Sequence, residues 1–168
     1  MSSYAYGHKF RLAFKTDAFL GEDIELNLIK SPIPDLALGE TFQSTPKRQL
    51  PIPGDSITIA DLQLTFLLSE DLKEWRYLVK WLNLLKECKG EAINDYVTDA
   101  IMIVMTAKHN EIFSIQYEAT WIATLGQIDY NTQVDGAEAM TLTATMKIRN
   151  MTVLSPQDDN TNGVRLVT

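Results

Sequence analysis

Leu62–Lys89 reads LQLTFLLSEDLKEWRYLVKWLNLLKECK, and the change of period inside it decides the fold. It opens as a strand, with Leu62, Leu64 and Phe66 on one face and Gln63 and Thr65 on the other. At Ser69 the period passes from two to 3.6 residues. Leu72, Trp75, Leu78, Val79, Leu82 and Leu85 then form one apolar stripe at helical spacing, which predicts a helix over Glu70–Lys89. Ser69 is placed to cap the first amides, and Glu70 and Asp71 lie where the helix dipole favours anions. Lys86 and Lys89 fall in the last turn and Gly90 is placed to end it. No other stretch has a comparable helical stripe, so the rest reads as strand or loop.

Upstream, His8–Lys15 and Ile24–Lys30 both alternate and are expected to pair antiparallel, with Ile24, Leu26 and Leu28 inward. Residues Ser31–Ser56 then hold five of the six prolines, which argues against central strands. Their Ile33, Leu36, Leu38, Phe42, Leu50 and Ile52 are too apolar for a solvated linker. The segment reads as a long loop that either folds back over its own core or docks on a neighbouring subunit.

Downstream of the helix, Gly90–Asp99 reads as a polar connection and Ala100–Ala107 as a strand covered on both faces. Lys108-His109-Asn110 supplies a tight turn. Glu111–Leu125 reads as a long strand with Phe113, Ile115, Tyr117, Ala119 and Trp121 on one face. Gly126–Ala139 is a polar loop, and Met140–Leu154 a second long alternating strand. Two strands of this length exceed the usual five or six residues and suit a sheet larger than one small domain needs. Ser155–Thr168 is polar but ends in Val164, Leu166 and Val167, which predicts a tail whose apolar end docks somewhere, for instance on another copy. The fold class expected is mainly β (α+β): an antiparallel β-barrel or sandwich with one packed helix.

The chain of 168 residues is long enough for one domain with a core of its own, and its 45% hydrophobic and 22% charged residues are those of an ordinary globular protein. A single cysteine, Cys88, excludes an internal disulfide. No apolar run approaches the ~20 residues of a membrane span, and MSSYAYGHKF has no apolar signal core, so neither a membrane anchor nor signal-directed secretion is expected. With 22 acids against 15 bases the net charge is −7, and no basic stripe is present. Such a chain is not expected to hold nucleic acid, although an acidic surface would let a polyanion slide past.

The inventory for chemistry is thin. His8 and His109 are the only histidines, and neither stands in a metal-binding or nucleophilic motif with Cys88. Glycines are scattered and form no phosphate loop. Asp129–Gly136 (DYNTQVDG) has a faint likeness to a calcium loop but reads better as an Asx-rich hairpin turn. Asn150-Met151-Thr152 matches a glycosylation acceptor but lies inside an expected strand. Trp75 reads as core. Trp81 lies off the stripe near Tyr77 and Leu84, and reads either as core on a broad buried face or as subunit contact. Catalytic, cofactor and metal sites are therefore predicted to be none, and the chain is not read as an enzyme.

Three stretches carry a resemblance. LQLTFLLSEDLKEWRYLVKWLNLLKECKG runs from strand through acidic turn to a Trp-Leu-bearing helix before glycine. IPDLALGETFQSTPKRQLPIPGDSITIADLQLTF leads from a Leu-Gly segment through a Pro-rich excursion to a Pro-Gly-Asp turn and the next strand. YEATWIATLGQIDYNTQVDGAEAMTLTATMKIRNMTVL joins a strand, a short loop and a final alternating strand. In this order of parts, over residues 8–154, the chain resembles the tail-tube proteins of contractile-tailed bacteriophages, a fold shared with the tube proteins of type VI secretion systems.

The resemblance implies one tail-tube-like domain over residues 1–168, with a core at 8–154 and terminal arms at 1–7 and 155–168. It implies a virion structural protein made in the host cytoplasm. Subunits would form stacked homo-hexameric rings that contact tail sheath and baseplate or terminator proteins and pass DNA without specific binding. On that reading Ser31–Ser56 is a docking loop, and polar strand faces such as Glu25 and Asn27, or Thr141, Thr143 and Thr145, line the lumen. A tube-initiating or tube-capping ring and a monomeric β-barrel binding module are the alternatives.

Overall fold

The computed structural model describes residues 10–16, 20, 24–25, 28–88, 90–106, 108, 110–130, 139–154 and 164–166. Strands β1 (Phe10–Phe14), β2 (Ile24–Glu25), β3 (Leu28–Lys30), β6 (Leu62–Leu67), β7 (Thr98–Met105), β8 (Glu111–Leu125), β9 (Thr141–Lys147), β10 (Asn150–Leu154) and β11 (Val164–Leu166) form one nine-stranded antiparallel sheet. Its main path runs β2-β1-β7-β8-β9-β6-β3. Strands β4 (Leu36–Ser44) and β5 (Gln49–Ile59) make a separate two-stranded sheet.

The expected pairing of the first two strands is present only in its first half: Ala13 pairs with Glu25 and Phe14 with Ile24. The second half, Leu28–Lys30, pairs with β6 instead. One alternating run thus supplies both ends of the sheet path, which is how nine strands come to form a nearly closed barrel. Inside lie Leu12, Phe14, Leu62, Leu64, Phe66, Ile115, Tyr117, Ile122, Leu142, Ala144 and Met146, all essentially inaccessible.

The longest strand bends in the middle. Ala119 has φ +52, a left-handed backbone that alanine seldom adopts. The β7 register slips there, from Ala100 opposite Tyr117 to Thr98 opposite Thr120. This bulge shifts the parity of β8: the buried side chains are Ile115 and Tyr117 before it and Thr120 and Ile122 after it. The single face expected from Phe113 to Trp121 is therefore wrong beyond Tyr117, and Trp121 is only half-buried. The partner changes at the same point. Residues 114–118 pair with β10, and residues 121–125 with β9. Met140–Leu154, expected as one strand, is correspondingly broken at Ile148 and Arg149. Asp99 Oδ1 accepts the Ala119 N–H at 3.0 Å and the Glu118 carbonyl accepts the Arg149 N–H at 3.2 Å, so the bend is tied from both sides.

Helix α1 (Lys73–Glu87) begins three residues later than its stripe suggested. Leu72 takes a left-handed conformation (φ 50, ψ 34), and its N–H closes a turn on the Ser69 carbonyl at 3.0 Å. The first-turn acid is consequently Glu74 rather than Glu70 or Asp71. Ser69 still organises the end: its Oγ donates to Glu74 Oε2 at 2.7 Å and its N–H donates to the same oxygen at 3.2 Å. Partial burial pushes the Glu74 carboxyl up, but these bonds, its own amide and Lys73 together leave it below its ordinary value. The helix stops at Glu87, and Gly90 (φ +69) opens a 3-10 helix, Gly90–Tyr96, where a plain connection was expected.

Trp81 is core. It is fully buried, meets Phe14 edge to face at 6.0 Å, and donates its Nε1–H to the Tyr96 carbonyl at 2.8 Å. Trp75 is the half-buried tryptophan, so the stripe read from sequence is rotated from the true inner face, which centres on Leu78 and Trp81. The apolar end of the tail does dock, on its own chain: Val164–Leu166 pairs with β10, Met151 opposite Leu166.

Candidate assembly surfaces

Ser31–Ser56 was expected as a loop, but residues 36–59 form a hairpin in a sheet separate from that of the barrel. The turn is Thr45-Pro46-Lys47-Arg48, closed by the Thr45 N–H on the Arg48 carbonyl at 3.0 Å, while Thr45 Oγ1 accepts the Arg48 N–H at 3.2 Å. Counting from that bonded pair, Gln43 and Leu50 form a bonded pair, whereas Phe42–Pro51 and Glu40–Pro53 are non-bonded ones. Pro51 and Pro53 therefore sit where the missing N–H would face away from the partner strand, which reconciles two prolines with a strand.

A bulge separates the two halves of the hairpin, with Leu38 opposite Ile57 but Glu40 opposite Pro53. Gly54 is required there: a Cβ would lie 2.6 Å from the Gly39 carbonyl oxygen. Along β4 every second residue shares a face, so Leu36, Leu38 and Phe42 line up with Ile59, Ile57 and Pro51 across the ladder. This face is mainly apolar yet open, with Leu38 57% and Phe42 59% exposed, and Glu40 is the one ionised side chain that β4 places on it, between those two. Between Thr41 and Ile52 the only ionised side chains are Lys47 and Arg48, at the tip.

A second apolar feature lies at the start of α1. Leu72, Trp75, Gly126, Gln127, Ile128 and Tyr130 line a cleft of about 390 Å³. Gly126 positions its outer wall by donating its N–H to the Thr143 carbonyl at 2.7 Å, an approach a Cβ would block at 2.8 Å. Glu70, Asp71 and Asp129, next in the chain to lining residues, are exposed, with Lys73 drawn over the Tyr77 ring at 5.3 Å and Arg76 further along the helix.

The third surface is the outer face of β6, β9 and the end of β8. Gln63 pairs with Thr145, Thr65 with Thr143, and Thr124 with Thr145. Thr65 and Thr143 hydroxyls lie 3.5 Å apart, and the face is closed at one end by the Lys147–Asp61 ion pair at 2.7 Å. The three threonines Thr141, Thr143 and Thr145 thus do share one side of the sheet, facing away from the barrel core. Glu25 and Asn27 have no described side chains, and His8, His109 and the 131–138 part of the Asp129–Gly136 loop lie outside the described residues.

Among the described residues no three His, Cys, Asp or Glu side chains come together as metal ligands. Cys88 is half-buried at the helix end. Asn150 is buried in β10 and donates to Glu118 Oε2 at 3.1 Å, so its amide is a structural group. No helix among the described residues is long and apolar enough to cross a membrane.

No protein-family model matches the sequence, and no curated protein matches it either. Solved structures do match its fold. A chain of the anti-feeding prophage baseplate superposes with a TM-score of 0.71 at 10% identity, over 94% of this chain and 99% of that one. A chain of the sheath–tube complex of the extracellular contractile injection system PVC gives 0.68 at 10% identity, covering 92% and 94%. Hcp1 of E. coli EAEC 042 gives 0.58 at 10% identity, covering 90% and 94%. The protein therefore has the fold of the tube-forming proteins of contractile injection systems: mostly antiparallel β, a nearly closed barrel and one helix. These neighbours are structural parts of such machines, not enzymes.

Proposed function

We propose that this protein is a structural subunit of a contractile tail, building the tail tube as stacked hexameric rings that conduct DNA during ejection. The observation that carries the reading is agreement of fold with tube-type proteins over more than nine-tenths of the chain. The surfaces fit. A monomer gains nothing from an exposed apolar hairpin, whereas a neighbouring copy would cover it. The hydroxyl-lined face of β6, β8 and β9 suits a channel wall, because its threonines are uncharged, the net charge is −7, and Lys147 at its end is paired with Asp61 at 2.7 Å, which leaves phosphates little to adhere to. Sheath and baseplate or terminator proteins are the remaining partners on this reading, and the tail particle is the location.

A ring at the tube's end is the second reading, favoured by the baseplate chain's equally close fold. Negative-stain electron microscopy with sedimentation velocity on the purified protein tests both. Hollow tubes of variable length support the tube subunit, and single rings support the terminal one. A monomer at high concentration, unchanged by added baseplate proteins, refutes both and leaves a monomeric β-barrel binding module.

A further inference from the structure

We propose that the hairpin of one copy seats in the cleft at the start of α1 of a second copy, with Phe42 as its anchor. The inference rests on the self-assembly reading above and assigns its contact. Each feature is half of an apolar interface. Phe42, backed by Pro51 across the ladder, is a large side chain 59% exposed on a rigid ribbon, the profile of an anchor rather than of a solvated loop residue. The cleft, walled by Leu72, Trp75, Ile128 and Tyr130, is concave and apolar, with Tyr130 68% exposed at its mouth.

Charge selects the pairing. The hairpin tip presents Lys47 and Arg48 with no acid between Thr41 and Ile52. Next in the chain to residues that line the cleft are exposed Glu70, Asp71 and Asp129, the last accepting a hydrogen bond from Gln127 Nε2 at 3.1 Å, while Lys73 lies over the Tyr77 ring. Opposite signs orient the encounter, and the apolar pair beneath supplies the hold. The late start of the helix contributes. Because Leu72 is left-handed, Glu70 and Asp71 lie in a turn before the first helical residue, beside the cleft wall, instead of inside the first turn.

Hairpin and cleft are different surfaces, so the contact is heterologous unless two copies exchange hairpins reciprocally about a two-fold axis. Such a contact closes a ring if its rotation closes, and otherwise propagates as a helical stack.

The test replaces Cys88 with serine, places Lys47→Cys in one tagged preparation and Asp71→Cys in another, and treats the mixture with a short bismaleimide. A band at the mass of two chains, absent with either cysteine alone and lost on adding Phe42→Asp, is the expected result. Reversing the tip (Lys47→Glu with Arg48→Glu) should lower wild-type assembly, and adding Glu70→Lys with Asp71→Lys should restore it, which a misfolded variant cannot mimic. Rings or tubes that form without the cross-link, or that ignore Phe42→Asp, overturn this contact and leave the self-assembly reading intact. A wild type that neither assembles nor cross-links overturns both.

Discussion

Replacing Ala119 with glycine should stabilise the protein, against the usual rule for a strand. A left-handed backbone costs a non-glycine residue ~1–2 kcal/mol. Glycine removes that cost but gives the unfolded chain freedom worth ~0.4–1 kcal/mol. The difference for Ala119, at φ +52, is a gain of ~0.5–1 kcal/mol, or about 1–4 °C in Tm for a chain of this length. Asp99→Ala should act in the opposite sense, because its carboxylate accepts the Ala119 N–H at 3.0 Å in a half-buried position, and leaving that donor unpaired costs ~1–3 kcal/mol. Thermal unfolding followed by circular dichroism, with urea midpoints as a second measure, reads both. If Ala119→Gly instead lowers stability by ~0.5–1 kcal/mol, as glycine does in a regular strand, Ala119 is not left-handed and the account of the β8 bend fails.

Trp81→Ala should cost ~3–5 kcal/mol by urea unfolding, because it empties a fully buried site and removes the Nε1–H that the Tyr96 carbonyl accepts, whereas Trp75→Ala should cost clearly less. Burial pushes the Tyr117 phenol well above its ordinary value. Above about pH 10 the unfolded chain releases this proton while the folded chain keeps it, so stability should fall with rising pH by about 1.4 kcal/mol per pH unit. Tyr117→Phe should flatten that fall yet change neutral-pH stability little, since the Met102 sulfur it donates to at 3.6 Å is a weak acceptor. Gly54→Val should leave the unfolding free energy within about 1 kcal/mol of wild type but prevent assembly, as its side chain would collide with the Gly39 backbone inside a hairpin that lies outside the core.

What the sequence made legible is what periodicity governs. Leu62, Leu64 and Phe66 alternate and are all buried, and β8 spans the same Glu111–Leu125 that its pattern marked. The failures in β8 and at the helix start share one cause, which is backbone conformation that no side chain announces. Neither Ala119 nor Leu72 is a residue that favours positive φ, yet each takes it, and each moves the elements after it by part of a period. That is why Trp121 leaves the predicted face and why the helix starts late, bringing Trp81 rather than Trp75 to the centre. The hairpin was hidden for another reason. Proline density argues against a strand only where every N–H must bond, and in a two-stranded ribbon half of them face outward. A sharper signal was available in the spacing of Pro51 and Pro53, two residues apart and so on one side of a strand. Of the candidate surfaces, the exposed apolar residues of the hairpin were visible, but the cleft that complements them joins Leu72 and Trp75 to Gly126–Tyr130, a union only the fold makes.

The same prolines bear on how copies meet. Long strands suggest assembly by strand addition at a sheet edge, and a free ribbon such as β4–β5 is a ready template for it. Pro51 and Pro53, however, occupy the non-bonded positions of β5, so two donors are missing from the edge that faces outward. That edge is blunted, while the Phe42 face is left apolar and open. Contact through side chains is thereby favoured over contact through backbone, which fits a defined partner site better than indiscriminate pairing. Pro51→Thr with Pro53→Thr would restore both outward N–H groups and keep Phe42 itself, with a threonine in place of the proline across from it. The expected result is disordered, thioflavin-positive aggregation at concentrations where the wild type gives rings, tubes or soluble protein. An unchanged size distribution would mean that the β5 edge was already protected by something other than its prolines.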